Sequence, residues 1–413
     1  MQTIIKASII KSGILKIPAS KSISNRVLII HALSKSRFSP ENLSDCDDTQ
    51  VMVHALNDNK ETIDIKAAGT AMRFLTAYYS IMQGDKTITG TERMKHRPIK
   101  ILVDALRILG AQIEYTEEEG FPPLHIKGEV LSSKDLTLCG NISSQFISAV
   151  LMIGPMLKNG LNINLTGQII SRPYINLTLK IMNDFGAKAC WTKCDKIRIL
   201  PQPYVPKPIR IENDWSAASY WYEIVALSRQ KDLTVKMPDL FRESYQGDCI
   251  VAKLFQKLGV ITEYSIEDGV PYVTLHKTED DAVPQLSYDF INEPDLAQTF
   301  VVTCIMMGIP FRFSGLQSLK VKETDRIQAL IKECTKLGYV LTEKENSTLI
   351  WNEEYCEKQA YPIIDTYEDH RMAMAFAPVA LRLPQIIINE PQVVRKSYPH
   401  YWDDLKSVGF ELK

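Results

Sequence analysis

The chain of 413 residues has little net charge, only scattered cysteines and no long apolar run. Its formal net charge is -1, so no overall basic field favours nucleic acid or an anionic membrane as a partner. The eight cysteines show no zinc or redox spacing, and the nearest pair is Cys190 and Cys194. No apolar run approaches membrane-spanning length, and residues 1–6 do not begin like a signal peptide. These absences predict a cytoplasmic protein with reduced thiols.

Nucleotide-binding and metal-binding motifs are also missing. The sequence contains no glycine-rich phosphate loop of the Walker type and no dinucleotide fingerprint. Because the net charge is close to zero, any functional basic residues must be concentrated locally. With 45% hydrophobic residues, the chain is long enough for two large domains with separate cores.

A pattern of helix, glycine and short strand recurs along the chain. Successive copies are separated by roughly 71 to 79 residues, and their glycines are Gly110, Gly186, Gly259, Gly338 and Gly409. A weaker sixth copy without the glycine is expected near residues 51–65. Four prolines between residues 200 and 214 exclude a central strand or helix there and mark the boundary between two halves of the chain. The sequence thus predicts two halves of three α/β units each.

Residues 19–26 place two cations at the start of an apolar helix. Lys21 and Arg26 flank Ser22 and Ser24, either of which could cap the helix. A helix start offers free N–H groups and the positive end of the helix dipole, so the segment is a candidate anion site. A plain capped helix with solvated cations is the alternative.

Similar segments follow in the first half. Residues 67–73 combine small residues with Arg73, residues 93–97 are basic, and residues 140–145 and 171–174 supply hydroxyl and amide groups before helices. Each of these alone is more typical of a cap or a solvated surface.

In the second half, residues 321–326 read Val-Lys-Glu-Thr-Asp-Arg and open a predicted helix. Its apolar positions 327, 330, 331, 334 and 337 share one face. Glu323 lies one turn before that face, between Lys322 and Arg326, and burying such ions is costly unless they are paired. Asp295 also lies near a predicted helix start.

Cations therefore gather at helix starts in both halves of a nearly neutral protein. Asp369 is a candidate cap before His370 and Arg371, and Lys396 lies in a loop. Such a site suits substrates with several phosphate and carboxylate groups. Without a ligand, the cations are expected to repel one another and hold the protein open.

Taken together, the motifs resemble those of the 5-enolpyruvylshikimate-3-phosphate synthases (3-phosphoshikimate 1-carboxyvinyltransferases) along nearly the whole chain. The resemblance rests on residues 21–26, 68–73, 93–99, 143–146, 294–295, 321–326 and 369–374. It implies a two-domain inside-out α/β barrel in which each domain has three βαβαββ units. Residues 14–213 would form one domain, residues 1–13 with 214–413 the other, and the active site would lie in the cleft between them.

The resemblance also implies a reaction. The enolpyruvyl group of phosphoenolpyruvate would move to the 5-hydroxyl of shikimate 3-phosphate, with release of phosphate, by addition and elimination through a tetrahedral intermediate. The protein would be a cytoplasmic monomer of the shikimate pathway, which leads to the aromatic amino acids, and would need neither a metal nor an organic cofactor. Two alternatives stay open: a UDP-N-acetylglucosamine 1-carboxyvinyltransferase and a non-catalytic module that binds polyanions. The first often carries a cysteine near residues 93–97, and this chain has none there.

The resemblance further implies the residues that hold each substrate. Shikimate 3-phosphate would be held by Lys21, Ser22, Arg26, Ser143, Ser144, Gln145, Ser171, Tyr174, Asp295, Ser318 and Lys322. Phosphoenolpyruvate would be held by Lys21, Gly69, Arg97, Gln145, Glu323, Arg326, His370, Arg371 and Lys396. Arg73 is a further candidate beside these groups.

Four residues are candidates for the chemistry. Asp295 is the expected base, and Glu323 is the expected acid or proton shuttle, assisted by Lys322. Lys21 would stabilise charge on the intermediate. Because cations keep a carboxylate ionised, Glu323 would need local burial to carry a proton.

The chain departs from the pattern of the family at four positions. Ala67, Ser318 and Glu368 stand where many members carry Asn, and Phe74 stands where Pro is frequent. These departures predict altered affinity for phosphoenolpyruvate and its mimics, with the reaction unchanged.

Overall fold

The computed structural model describes residues 1–7, 9–58, 60–132, 134–278 and 282–413. The chain forms two compact units. The N-terminal unit is Ala19–Ile211, and the C-terminal unit combines Met1–Pro18 with Glu212–Lys413. The C-terminal unit is therefore built from two separate segments of the sequence.

Short strands and helices alternate along both units. The strands are β1 (Gln2–Lys6), β2 (Gly13–Ile14), β3 (Thr62–Asp64), β4 (Gly84–Thr89), β5 (Gln112–Tyr115), β6 (Leu124–Gly128), β7 (Leu136–Cys139), β8 (Leu161–Thr166), β9 (Ala189–Lys193), β10 (Lys196–Ile199), β11 (Thr234–Pro238), β12 (Val260–Glu267), β13 (Val270–Lys277), β14 (Leu286–Asp289), β15 (Phe311–Ser314), β16 (Thr342–Lys344), β17 (Thr348–Trp351), β18 (Ile363–Ile364), β19 (Ile386–Asn389) and β20 (Glu411–Leu412). The α-helices are α1 (Lys21–Leu33), α2 (Asp47–Asn57), α3 (Gly69–Ile81), α4 (Glu92–Lys95), α5 (Lys100–Ile108), α6 (Ser144–Ile153), α7 (Arg172–Asp184), α8 (Trp215–Leu227), α9 (Val251–Gln256), α10 (Ala297–Met307), α11 (Arg326–Lys336), α12 (His370–Phe376) and α13 (Tyr401–Ser407). None of the described helices is long and apolar enough to cross a membrane.

The sheets share one order of connections. An edge strand runs parallel to its neighbour, and the two strands beyond are antiparallel. The N-terminal unit contains the orders β3-β4-β6-β5 and β7-β8-β10-β9. The C-terminal unit contains β14-β15-β17-β16, β2-β11-β13-β12 and β18-β19-β1-β20. The α/β fold class is therefore confirmed.

The helices that cross between parallel strands are buried. A parallel pair needs such a crossover, and α3 joins β3 to β4 as α10 joins β14 to β15. Helix α3 is buried from Gly69 to Ser80, and α10 is buried from Ala297 to Met306. Helices that are buried on all sides in this way belong to a core. The polar motifs predicted to bind substrate therefore precede or begin core helices.

In each of the five repeats, a glycine follows the last helix, as the sequence predicted. Gly110 has φ 102° and Gly409 has φ 109°, and the three intervening repeat glycines are also at positive φ. L side chains rarely adopt this conformation, so glycine ends the helix there. The strand after each glycine is an outer strand of its sheet: β5, β9, β12, β16 or β20. The glycine spacing is thus the period of the fold.

The sixth copy expected near residues 51–65 is not a complete unit. Helix α2 is present, but β3 pairs with β4 and so belongs to the next sheet. Among the described residues, Glu41 and Arg210 form an isolated parallel bridge outside the named strands. The connection from α2 to β3, which includes residue 59 outside the described ranges, is too short to contain another hairpin.

Candidate functional site

The C-terminal unit contains a cluster of ion pairs, which we call the C-terminal charge cluster. Its members come from the starts of α10, α11 and α12 and from the turn Pro391–Lys396. They are Lys322, Arg326, Arg371 and Lys396, with Asp295, Glu323 and Asp369.

Arg326 lies at the centre of the cluster. Its Nε donates to Asp369 at 2.6 Å, its Nη1 to Asp295 at 2.9 Å and its Nη2 to Glu323 at 2.9 Å. Arg326 is only 1% exposed. Burying a guanidinium is tolerable here because its donors meet carboxylates in good geometry.

Two more cations form ion pairs with Asp295. The Nη2 of Arg371 donates to it at 3.0 Å, and the Nζ of Lys322 lies 3.4 Å away. Burial by itself raises the pKa of Asp295, but Arg371, Lys322 and Arg326 outweigh burial and hold that pKa well below its usual range. Asp295 is therefore an ionised carboxylate, the state that a base requires. Glu323 is bound on its other oxygen by Lys396 at 2.7 Å.

Two helix starts in the cluster are capped by aspartates. The carboxylate of Asp325 accepts from the N–H of Ile327 at 3.1 Å, and α11 begins at Arg326. The expectation that residues 321–326 open the helix was therefore wrong, because the cap places Glu323 before the helix. Asp369 accepts from the N–H of Arg371 at 2.9 Å, which confirms it as the cap of α12.

The cations of this cluster are paired with carboxylates, and the expectation that repulsion holds the protein open stays a prediction. Its four cations are interleaved with three carboxylates, and Asp369 is completely buried with Arg326. Because each cation lies within 4 Å of an opposite charge, attraction to the carboxylates offsets the repulsion between the cations.

His370 and Ser318 lie near these elements. His370 is buried at the start of α12, with its Nδ1 3.7 Å from Asp369. Ser318 lies in the turn Gln317–Val321 and, within the described part of the chain, forms no hydrogen bond with the charge cluster. A substrate contact of Ser318 stays a prediction.

In the N-terminal unit, Gly69 and Arg97 are in contact. A Cβ at Gly69 would lie 2.6 Å from Nη1 of Arg97. Arg73 donates from Nη1 to the carbonyl of Gly69 at 3.1 Å and from Nη2 to the carbonyl of Pro98 at 3.2 Å. Arg73 thus fixes the start of α3 to the segment that carries Arg97.

The start of α6 is adjacent to the start of α3. The Nε2 of Gln145 donates to the hydroxyl of Thr70 at 3.1 Å. Ser143 accepts from the N–H of Gln145 at 3.4 Å and caps α6, while Ser144 is buried. Two segments that the sequence separates by 75 positions are therefore neighbours.

Arg26 is buried among three helices. Its Nε donates to Thr178 at 2.7 Å, its Nη1 to the carbonyl of Ser22 at 2.8 Å and its Nη2 to Ser148 at 3.2 Å. Burial lowers the pKa of Arg26 to about 10. The guanidinium also donates to the carbonyl of Tyr174 at 3.4 Å, so two predicted binding residues lie beside it.

Lys21 begins α1 and pairs with Asp48 at 3.2 Å. The helix is capped by Ser20, which accepts from the N–H of Ile23 at 3.4 Å, so the expected caps Ser22 and Ser24 were wrong. Ser171 precedes α7 with φ 52° and is buried.

Sequence reasoning missed several partners. Asp48 could have been found, because residues 45–48 are rich in acidic side chains at a helix start. Nothing local marks Thr70 as the partner of Gln145, or Asp369 as the partner of Arg326 across 43 positions. Within the described ranges, no group of three or more metal-ligating side chains could hold a metal ion.

The fold is that of the enolpyruvyl transferases. The structure is similar to EPSP synthase from Acinetobacter baumannii, with TM-score 0.80, 20% sequence identity and 100% of each chain covered. It is also similar to the enolpyruvyl transferase NikO from Streptomyces tendae, with TM-score 0.72, 13% identity, and 100% of this chain and 98% of the other covered.

The sequence comparisons are more specific. The family model described as EPSP synthase (3-phosphoshikimate 1-carboxyvinyltransferase) matches residues 7–60 and 56–405. A 3-phosphoshikimate 1-carboxyvinyltransferase of Bacteroides fragilis is 60% identical over 399 residues, which cover 97% of this chain and 96% of that protein. One of Vibrio cholerae is 37% identical over 418 residues, with 95% and 96% covered. The chain belongs to the EPSP synthase family, and the resemblance stated from the sequence is confirmed.

Proposed function

We propose that the C-terminal charge cluster and the helix starts of the N-terminal unit bind the two substrates of the reaction of this family. The chain is accordingly a transferase that moves the enolpyruvyl group of phosphoenolpyruvate to the 5-hydroxyl of shikimate 3-phosphate and releases phosphate. The observation that carries the site assignment is Asp295, held as a carboxylate between Arg326, Arg371 and Lys322. A site for binding anions alone would not place carboxylates among its cations.

Phosphoenolpyruvate is assigned to two sets of residues. In the N-terminal unit these are Arg97 with Gly69, Gln145 and Lys21, which are supported by the contact of Gly69 with Arg97. In the C-terminal unit they are Glu323, Arg326, His370, Arg371 and Lys396. Arg326 is saturated by carboxylates and almost fully buried, so its part is to position Asp295 and Glu323.

Shikimate 3-phosphate is assigned mainly to hydroxyl, amide and cationic groups of the N-terminal unit. Arg26 supports the assignment because it holds the backbone of Ser22 and Tyr174 together. The full set is Lys21, Ser22, Arg26, Ser143, Ser144, Gln145, Ser171 and Tyr174, with Asp295, Ser318 and Lys322 in the C-terminal unit. Neutral donors suit the hydroxyl groups of the substrate, and the cations suit its phosphate and carboxylate.

The chemistry divides between two carboxyl groups. Asp295 accepts the proton of the 5-hydroxyl while the oxygen of that hydroxyl bonds to C2 of phosphoenolpyruvate. Glu323, in its protonated form, supplies a proton to the methylene carbon. In the elimination, Glu323 takes a proton back from the new methyl group as the C–O bond to phosphate breaks. The proton taken up by Asp295 leaves with the released phosphate. Lys322 assists the proton transfer, and Lys21 stabilises negative charge on the intermediate. An anionic substrate that draws Arg371 and Lys322 away from Asp295 would raise the basicity of that carboxylate.

The role of Asp295 is tested by Asp295→Asn. We expect kcat to fall by about 10² to 10⁴, the range for removal of an acid–base group, with both substrates still bound. Asp403→Asn, on the exposed face of α13, is the matched control and should leave kcat unchanged. Full turnover by Asp295→Asn with normal binding of both substrates would show that another group is the base.

The substrate itself is tested by phosphate release. Phosphoenolpyruvate should release phosphate with shikimate 3-phosphate and not with UDP-N-acetylglucosamine. We further infer a cytoplasmic monomer that acts only on small molecules, and sedimentation of the purified protein would test the monomeric state.

A further inference from the structure

The segment before α12 contains a turn of unusual composition. Tyr367 has φ 52° and Glu368 has φ 56°, and the N–H of Asp369 donates to the carbonyl of Thr366 at 2.8 Å. A tight turn with both central residues at positive φ normally carries Asn, Asp or Gly there. Because Tyr and Glu are disfavoured in this region, the surroundings must hold the turn in place.

Glu333 of α11 contacts this turn with both carboxylate oxygens. Its Oε1 accepts from the hydroxyl of Tyr367 at 2.6 Å, and its Oε2 accepts from the N–H of Asp365 at 3.1 Å. Glu333 is fully buried, so these bonds are protected from water. Lys336 lies 2.7 Å from the same carboxylate and 2.8 Å from that of Asp365, so one cation offsets part of the negative charge of the two carboxylates.

The turn leads directly into the charge cluster. Asp369 follows it and accepts from Nε of Arg326 and from the backbone N–H of Arg371. Arg326 and Glu333 lie on the same helix, about two turns apart. Helix α11 therefore holds the segment from residue 365 to residue 369 at two points.

We propose that Glu333 is a positioning residue of the transferase. Through the Tyr367 hydroxyl and the Asp365 N–H, it holds the turn at residues 367–368 in the conformation that delivers Asp369 and Arg371 to their partners. The proposal rests on the proposed function, because Arg371 and His370 are assigned there to phosphoenolpyruvate. Loss of the Glu333–Tyr367 bond would displace these side chains without touching a substrate.

The test uses Tyr367→Phe in the full-length protein. This variant removes one hydrogen bond to a carboxylate, and Glu333 keeps its bonds to Asp365 and Lys336. We expect KM for phosphoenolpyruvate to rise about tenfold, the effect of losing a hydrogen bond to a charged group, while KM for shikimate 3-phosphate changes less than twofold. Tyr361→Phe, at a tyrosine that is 63% exposed, is the matched control and should resemble the unmodified protein.

Glu333→Gln and Glu333→Ala provide a graded series. Gln keeps an acceptor for the Tyr367 hydroxyl, so its effect on KM should be smaller than that of Ala. Hydrogen exchange at the N–H of Asp369 and Arg371 reports the turn independently of activity and should be faster in Tyr367→Phe. The kinetic constants and exchange rates of all these variants are measured below their unfolding temperatures and expressed per folded molecule.

Three outcomes would overturn the proposal. Unchanged hydrogen exchange in Tyr367→Phe would show that the bond does not hold the turn. Faster exchange with unchanged KM for phosphoenolpyruvate, or a lower unfolding temperature with normal kinetics, would show a purely structural bond. By contrast, absence of turnover in the unmodified protein would reject the proposed function while the exchange experiment still tested the turn.

Discussion

Gly69 shows how closely one position can control a neighbouring side chain. The guanidinium of Arg97 occupies the space where a Cβ would stand, and Arg73 fixes both segments through backbone carbonyls. An added methyl group must therefore displace the guanidinium of Arg97, because the hydrogen bond from Arg73 holds the backbone of residue 69 in place. The position of this cation thus depends on the absence of a side chain.

We expect Gly69→Ala to raise KM for phosphoenolpyruvate about tenfold or more, because the displaced Arg97 loses a charged hydrogen bond to the ligand. KM for shikimate 3-phosphate should change little. Gly13→Ala is the control, since nothing lies within 4 Å of a Cβ there. Steady-state kinetics with each substrate varied in turn measure both, and equal KM values for the two variants would contradict the assignment of Arg97.

At the scale of elements, β1 is a strand near the start of the sequence that occupies a central position in its sheet. It lies between β19 and β20, with Gln2 to Ile5 paired to β19 and Ile5 and Lys6 paired to β20. The side chain of Ile5 is completely buried, whereas Ile9 just beyond the strand is 67% exposed. The first residues of the chain are thus part of the core of the C-terminal unit.

We expect Ile5→Ala to lower the free energy of unfolding by about 2 to 5 kcal/mol, the usual effect of truncating a buried isoleucine. Ile9→Ala should change it by less than about 0.5 kcal/mol. Denaturant titrations of the two variants give the comparison, and equal losses would contradict the burial of β1.

At the scale of the whole molecule, the chain returns to the C-terminal unit at Glu212, and this point is sensitive to pH. Glu212 is 2% exposed, and its Oε1 accepts from the hydroxyl of Ser244 at 2.7 Å and from the N–H of Tyr245 at 3.0 Å. Within the described residues, its Oε2 has no hydrogen-bond partner. Burial raises the pKa of Glu212 from 4.5 to about 7, and the hydrogen bonds offset only part of this.

The sign of the pH effect follows from that shift. Between about pH 4.5 and pH 7 the folded protein binds a proton at Glu212 that the unfolded chain does not, so this contribution to stability is complete below pH 4.5 and lost as pH rises through 7. Relative to Glu212→Gln, the unmodified protein should lose about 3 kcal/mol over this interval. Unfolding titrations at several pH values measure the difference. The exposed Glu353→Gln is the control, and a difference independent of pH would contradict the buried proton.

Much of the fold could be predicted because short sequence patterns determine where its helices end. The glycines at residues 110 and 409 end helices at positive φ whatever lies around them, so their spacing marks the repeat. The incomplete sixth copy was not predictable in the same way, because the pairing of β3 with β4 depends on strands more than 20 positions apart.

The candidate site shows the same division. Asp295, Glu323 and Arg326 stand out because charged residues beside apolar helices need partners. Which partners they choose is decided by tertiary packing, and neither the burial of Asp369 against Arg326 nor the contact of Glu333 with Tyr367 leaves a trace in the local sequence. The cap of α1 was misplaced for a related reason, since Ser20, Ser22 and Ser24 could each cap a helix that begins at the next residue.

The central place of β1 in its sheet also has a consequence for biosynthesis. Its neighbours β19 and β20 begin at Ile386 and Glu411, so β1 must wait for both partners while the intervening residues are translated. At roughly 5 to 20 residues per second, that delay is on the order of 20 to 80 seconds. During this delay Ile5 lacks the strands that bury it in the folded protein, and an unpaired apolar segment of this kind is a target for chaperones that act during translation.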